Sequence, residues 1–428
     1  MEIINTTPYA FHPFDCSVGP TVPALSLIVK GTFKLRFGQA AEAVPEALQQ
    51  ALRGDEMFMD DLGRSLRYAT DLVALKPRGE VMLEGACHVP DGRLRAECDA
   101  GFTVGSIRKT LRISGDRRWS RAGTMSAPQP FEQMPLRWER AFGSLASPEN
   151  PMGRGVDPTA PELGSDVSLP NVEYPECRVT APTDRPRPAG FGPIAPHWQP
   201  RALRNGTRDQ RWATFRAPLP PVDYDARCQN AAPDDQQLGD GVYFRGDEPL
   251  VLDHMHPEYP RYESALPQKR LRFFLWLRSK EGTPNRFSEV ELRLDTVFID
   301  AEKEELALVW RRPVQVSGQG HPEIEAVYLA EEDMASEPQP ADTHFARFRE
   351  LRPDRESASA EMQAHIDEQR AEAHKMLRDG NVDPKLVKSV EETKDPSKAL
   401  DILMQFLERQ GAALERQTAA LQAKLAAR

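Results

Sequence analysis

The chain has 428 residues, 39% of them hydrophobic and 28% charged, with a formal net charge of −10. That length predicts about two or three folding units with a buried core. The acidic balance argues against a nucleic-acid partner, which calls for a basic surface, and against an anionic membrane surface. No apolar run approaches the roughly 20 residues that a bilayer requires.

The opening residues, Met1 to Pro8, carry no basic segment and no apolar stretch long enough for a secretory signal, so the expected location is the cytoplasm. From Leu25 through Leu27, Val29, Phe33, Leu35 and Phe37 the apolar residues fall on odd numbers. Alternate side chains of a strand point to opposite faces, so this pattern predicts a strand with one face on a core. Val81, Leu83, Cys87 and Val89 repeat the pattern, as do Ile107, Leu111 and Ile113.

The middle of the chain has a different composition. Of the 38 prolines, 23 lie between residues 121 and 270, a density that forbids long helices. Trp138, Phe142, Phe191, Trp198 and Trp212 are interleaved with them. Disordered linkers are poor in aromatics, so the expectation is ordered irregular chain packed onto the sheets. A second alternating cluster follows: Leu271, Phe273, Leu275 and Leu277, then Val290, Leu292, Leu294 and Phe298, then Leu306, Leu308 and Trp310. Residues 299–305 are placed to join the last two runs as a hairpin.

Beyond about residue 335, Ala, Glu, Gln, Lys and Leu take over, and these are strong helix formers. Ser357 to Leu377 reads as one helix closed near Gly380, and Asp383-Pro384 and Asp395-Pro396 have the form of helix starts. In the last helix Leu400, Leu407, Leu414 and Leu421 recur every seven residues, with Gly411 interrupting the series. Such a seam either packs on a neighbouring helix of the same chain or joins copies into a homo-oligomer. The predicted fold is therefore mainly β, with antiparallel sheets in a two-sheet or tandem β-domain body, an irregular proline-rich middle and a helical C-terminal appendage. Residues 1–120 form the N-terminal β part, 121–335 the proline- and aromatic-rich segment with the second β part, and 336–428 the tail.

Motifs for chemistry are sparse. Cys16, Cys87, Cys98, Cys177 and Cys228 are scattered and have no CxxC spacing, so they read as reduced thiols. His254 and His256, beside Asp253, offer two metal ligands without a clear third and read as a solvent-exposed loop pair. Asp223 and Asp225, with Asp234 and Asp235 nearby, have the residue type for acid–base work, but they flank prolines and an asparagine as turn-forming caps do. No GxSxG elbow and no P-loop lysine is present. No cofactor and no metal is expected.

A series of ordered strings runs through the first three quarters of the chain. It includes Val29-Lys30-Gly31-Thr32-Phe33, Leu136 to Gly143, Asn150 to Gly155 and Leu169 to Glu173. The densest part is Pro188 to Ile194 with Trp198 and Arg201, then Gly206-Thr207 with Asp209 and Trp212, then Asp223-Tyr224-Asp225 and Asn230 to Pro233. Leu294-Asp295-Thr296-Val297 and Trp310-Arg311 complete it. Ser144 departs from the pattern, standing where a second glycine is expected after Phe142-Gly143.

These strings resemble the domain-of-unknown-function 2169 family over roughly residues 1–315. The resemblance implies a non-enzymatic adaptor or chaperone, encoded with type VI secretion genes. Such an adaptor bridges an effector toxin to the PAAR-tipped valine–glycine-repeat spike. The tail lies outside the pattern. Trp, Tyr and Arg are the usual anchors of protein interfaces; the candidate partner-binding residues are Trp198, Arg201, Asp209, Trp212, Asp223 and Asp225, along with Leu400, Leu407, Leu414 and Leu421 of the seam. For Trp198, Trp212, Arg201 and Asp209 a purely structural role, holding the irregular segment together, is the competing expectation. Two other functions compete with the adaptor: a hydrolase of a polar polymer working through Asp223, Asp225 or His254, and a structural component of the secretion machine that self-assembles through the seam.

Overall fold

Strands from the start of the chain pair with strands from residues 293–333. In the computed structural model, the described residues are 1–352 apart from 19–21, 121–122, 156–166, 218, 279–283, 318–320 and 322. The chain divides into two units, Met1–His344 and Phe345–Arg428. Of the second unit, Phe345–Arg352 are described, and a helix over Ala341–Leu351 runs across the boundary. The helices expected at 357–377 and beyond 396, with Leu400, Leu407, Leu414 and Leu421, lie outside the described residues.

Three larger sheets make up the first unit. One has the order Ala10–Val18, Val22–Lys34, Glu305–Gln315, Arg293–Asp300, Glu80–Glu84, with Glu42–Ala43 added on Val22–Lys34. Its central pair is antiparallel, from Lys34 opposite Glu305 to Ala24 opposite Gln315. The second runs Val172–Glu173, Ile107–Ser114, Glu97–Val104, Pro249–Asp253, Arg261–Ala265, antiparallel throughout. The third runs Glu2–Asn5, Ile324–Asp333, Lys269–Leu277, Arg286–Glu289, and its first pair is parallel.

One hydrophobic core is common to all three: Val29 and Leu306 come from the first sheet, Phe102 and Leu111 from the second, Phe273 and Val327 from the third. The architecture is mainly β, as expected, and it interleaves the two β-rich regions instead of setting two β-domains in tandem.

The odd-numbered residues Leu25, Leu27, Val29, Phe33 and Leu35 line that core, while Phe37 lies beyond the strand and is exposed. The even-numbered face is buried as well: Ser26, Ile28, Lys30 and Thr32 are all covered. Chain from the 44–79 region lies over it. Gln49 accepts from the Thr32 amide at 2.7 Å, and Asp71 takes the Lys30 ammonium at 2.9 Å.

The hairpin expected around 299–305 is present, with Arg293–Asp300 antiparallel to Glu305–Gln315. A bulge between Leu294 and Thr296 shifts its phase. Leu294 therefore joins the main core with Val297 and Ile299, and Phe298 turns to the opposite face against Tyr68, with ring centroids 4.8 Å apart.

The proline-rich middle is ordered chain with short strands and short helices. Phe191 enters the main core. Trp138 and Trp198 meet edge to face at 6.2 Å in a second cluster that includes Tyr68, Met82 and Phe298. Because irregular backbone must satisfy its polar groups locally, side chains serve as the staples. Trp138 Nε1 donates to Pro193 O, and Asn150 Nδ2 donates to the carbonyls of Trp138 and Phe142. Lys109, on a strand of the second sheet, donates to Gly190 O at 2.7 Å and to Asp235 and Gln236 at 2.9 Å.

Candidate interaction surface

The described residues of 201–229 form one stapled subassembly, with Trp198 at its foot. Helix Arg201–Arg204 begins it, and Arg201 points inward, its guanidinium donating to Ile194 O at 2.5 Å and Cys228 O at 3.0 Å. Asp209 caps helix Gln210–Phe215, accepting from the Trp212 amide at 2.8 Å. Trp212 Nε1 donates to Leu219 O at 2.8 Å, and Arg216 Nε donates to Pro220 O.

Across the loop, Asp223 accepts from the Thr207 amide at 2.9 Å and the Thr207 hydroxyl at 2.7 Å. Gly206, at φ +79°, sits where a side chain would run into Pro221 and Asp223. Asp225 accepts from the Arg227 amide and guanidinium, and its own amide donates to Arg204 O.

The structure thus brings Arg201, Asp209, Trp212, Asp223 and Asp225 into one small unit. Trp198 and Arg201 are 1% and 6% exposed, so their side chains are engaged in the interior. Asp209 and Asp223 are exposed and Trp212 and Asp225 half-buried, each already holding a local turn or helix end. What this unit presents to solvent was not singled out by sequence pattern: Leu203 at 67%, Phe215 at 83% and Val222 at 86% exposure. Leu203 lies on helix Arg201–Arg204, Phe215 at the end of helix Gln210–Phe215 and Val222 in the turn before Asp223.

The candidate chemistry groups are placed for structure. Hydrogen bonds from the Thr207 amide and hydroxyl hold the Asp223 carboxyl below the usual range, and the Arg227 guanidinium does the same to Asp225. A general acid needs the opposite shift. His254 and His256 do not share a loop surface. His254 Nδ1 lies 2.7 Å from Asp99 O, while His256 is buried, 2.9 Å from Glu304 Oε1 and packed among Tyr259 and Tyr262. Among the described residues no group of three or more His, Cys, Asp or Glu side chains is arranged to hold a metal ion. No helix there is long and apolar enough to cross a membrane.

A buried polar chain also crosses the covered face of the first sheet. Asp71 accepts from Lys30 Nζ and, at 2.6 Å, from the Tyr68 hydroxyl, and its carbonyl takes Arg311 Nη2 at 2.7 Å. Arg311 pairs with Asp295, Thr296 links Asp295 to Lys76, and Lys76 pairs with Glu80 at 2.6 Å. Glu80 then accepts from Asn230 Nδ2 and the Ala232 amide. Burial pushes the Asp295 carboxyl up against the pull of Arg311 and Lys76, but at 1% exposure no substrate reaches it. The signal for this chain lies in the sequence: charged residues such as Lys30, Asp295 and Arg311 inside otherwise apolar strands.

The same residues lie in the strings that carry the resemblance noted above. The family model described as an uncharacterized protein conserved in bacteria, domain of unknown function 2169, matches residues 21–311. The chain belongs to this family. The match covers all of the 201–229 subassembly, the strands Val22–Lys34 and Arg293–Asp300, the strand Glu305–Gln315 as far as Arg311, and the whole buried polar chain from Lys30 to Arg311. No curated protein and no solved structure matches the chain significantly.

Proposed function

We propose that this member of the domain-of-unknown-function 2169 family is a non-enzymatic adaptor. It binds a type VI secretion effector in the cytoplasm and helps load it onto the PAAR-tipped valine–glycine-repeat spike. The secretion role rests on the family resemblance. The binding role rests on one observation above the others: Leu203, Phe215 and Val222 are exposed on a segment that Asp209, Trp212 and Asp223 hold together by hydrogen bonds.

Fixing those residues in advance lowers the ordering cost of association. Each large apolar side chain that a partner covers contributes about 1.5–3 kcal/mol. A hydrolase working through Asp223 or Asp225 has less support, because both carboxyls are held low by structural hydrogen bonds. The test is deletion of the gene in the producing strain. The adaptor reading expects effector export to be lost while the secretion apparatus still fires. Unchanged effector level and unchanged export would contradict it.

A further inference from the structure

The 201–229 subassembly carries six arginines and three aspartates, in a chain whose formal net charge is −10. Its acids are committed: Asp209 to the helix cap, Asp223 to Thr207, Asp225 to Arg227. Three of its arginines are committed too. Arg201 is buried on two carbonyls, Arg204 pairs in bidentate fashion with Asp234, and Arg227 pairs with Asp225.

Arg216, half-buried, donates to the Pro220 carbonyl, which leaves Arg208 and Arg211 exposed, with no carboxylate among the described residues pairing with either. Arg208 lies 5.2 Å from the centre of the Trp212 ring and donates to Asn205, contacts that orient its guanidinium without neutralising it. Arg211 and Phe215 are four apart on helix Gln210–Phe215, which places them on one side of it.

We propose that this subassembly receives an acidic amphipathic segment of the partner protein. Apolar side chains of that segment cover Leu203, Phe215 and Val222, and its carboxylates meet Arg208 and Arg211. The adaptor reading supplies the existence of a protein partner; the charge and exposure of this unit supply the site and the partner's chemistry. Guanidinium groups favour carboxylates geometrically. A local positive charge on an acidic chain also discriminates among partners that the rest of the surface repels. Three exposed apolar side chains beside two arginines suit an amphipathic peptide better than a phosphate backbone, which rewards many cations and no aliphatic contact.

The test uses the full chain and two labelled helical peptides of about 20 residues with identical Leu/Phe faces, one with glutamates on the polar face and one with lysines. Binding is read by fluorescence anisotropy at low and moderate salt. The acidic peptide is expected to bind at least about tenfold more tightly, which corresponds to about 1.4 kcal/mol, and the preference should shrink as salt is added. Phe215→Ser should weaken acidic-peptide binding by about tenfold, and the Arg208→Glu/Arg211→Glu pair should turn the preference toward the lysine peptide. Arg211→Glu alone, at an exposed position, provides a milder variant that retains the fold.

Equal binding of the two peptides overturns the proposal. So does a charge reversal that leaves the preference intact, tighter binding of a single-stranded oligonucleotide, or a self-associated species that Phe215→Ser dissolves. A chain that co-purifies its effector but shows no acidic preference sinks this inference alone. An acidic preference without effector binding sinks the adaptor reading alone.

Discussion

Lys30 and Asp71 face one another at 2.9 Å with side chains 0% and 2% exposed, on the second face of the longest strand of the first sheet. The pair explains why that sheet is covered on both sides. A buried charge is tolerable only when it is paired and its remaining hydrogen-bonding capacity is filled, and Tyr68 and the Arg53 amide complete the set around Asp71. Lys30→Met leaves the Asp71 carboxylate buried without its cation and should cost about 3–5 kcal/mol. Denaturant titration measures the loss. Adding Asp71→Leu should recover part of it, and a single mutant as stable as the parent would contradict the pairing.

Trp198 and Phe215 separate structure from surface on neighbouring elements. Trp198→Ala opens a cavity in the cluster shared with Trp138, for an expected loss of about 3–5 kcal/mol. Phe215→Ser, at an exposed site, should change stability by less than about 0.5 kcal/mol. Thermal unfolding of the two variants, run side by side, checks the contrast. Equal losses would mean that Phe215 belongs to a core.

The helix that carries Phe215 depends on its cap. Asp209→Ala removes the acceptor for the Trp212 amide and should weaken that helix by about 1 kcal/mol, with Asp209→Asn restoring most of it. Hydrogen exchange resolved at residues 210–216 is the measurement. Protection unchanged in the alanine variant would show that the cap does not hold the helix.

Beyond pH 10, buried tyrosines should make the protein lose stability. Burial, then donation to Glu331, raises the Tyr9 hydroxyl above its ordinary range, and burial beside Asp71 and Asp235 raises Tyr68 and Tyr174. Burial pushes Tyr224 and Tyr262 up to about 12. These phenols keep protons that the unfolded chain gives up from pH 10 onward, so their contribution is whole below pH 10 and is lost as pH climbs toward 12. Lys109 has the opposite sign: burial lowers it to about 8, so stability rises gently from pH 8 toward 10.5. The denaturation midpoint should drift upward above pH 8 and then fall beyond pH 10. A midpoint flat to pH 12 would contradict the assignment.

The strand framework was legible because apolar alternation is a direct consequence of strand geometry, and Leu25 to Leu35 and the 293–315 hairpin stand where it placed them. What periodicity could not reveal was the covering of the other face. Lys30 and Thr32 look like solvent positions until Gln49 and Asp71, far along the chain, arrive to bind them. The bulge after Leu294 is invisible to a period-2 rule for the same reason: Asp295 is turned toward Arg311 by a partner in another strand.

In the candidate site, Asp225 was readable as a cap from its turn neighbours, whereas Asp223 ties the chain to Thr207, 16 residues earlier, a contact that local sequence does not announce. The exposure of Leu203, Phe215 and Val222 depends on which irregular segments pack and which project, and local sequence does not encode that.

The most direct measurement is co-purification: the tagged full chain recovered from a strain that expresses the neighbouring spike, tip and toxin genes, beside the Phe215→Ser and Arg208→Glu/Arg211→Glu variants. The account predicts that toxin or tip elutes with the parent chain and is depleted with both variants, while all three forms are equally folded. If neither toxin nor tip is recovered with the parent chain, the adaptor reading is contradicted at its centre.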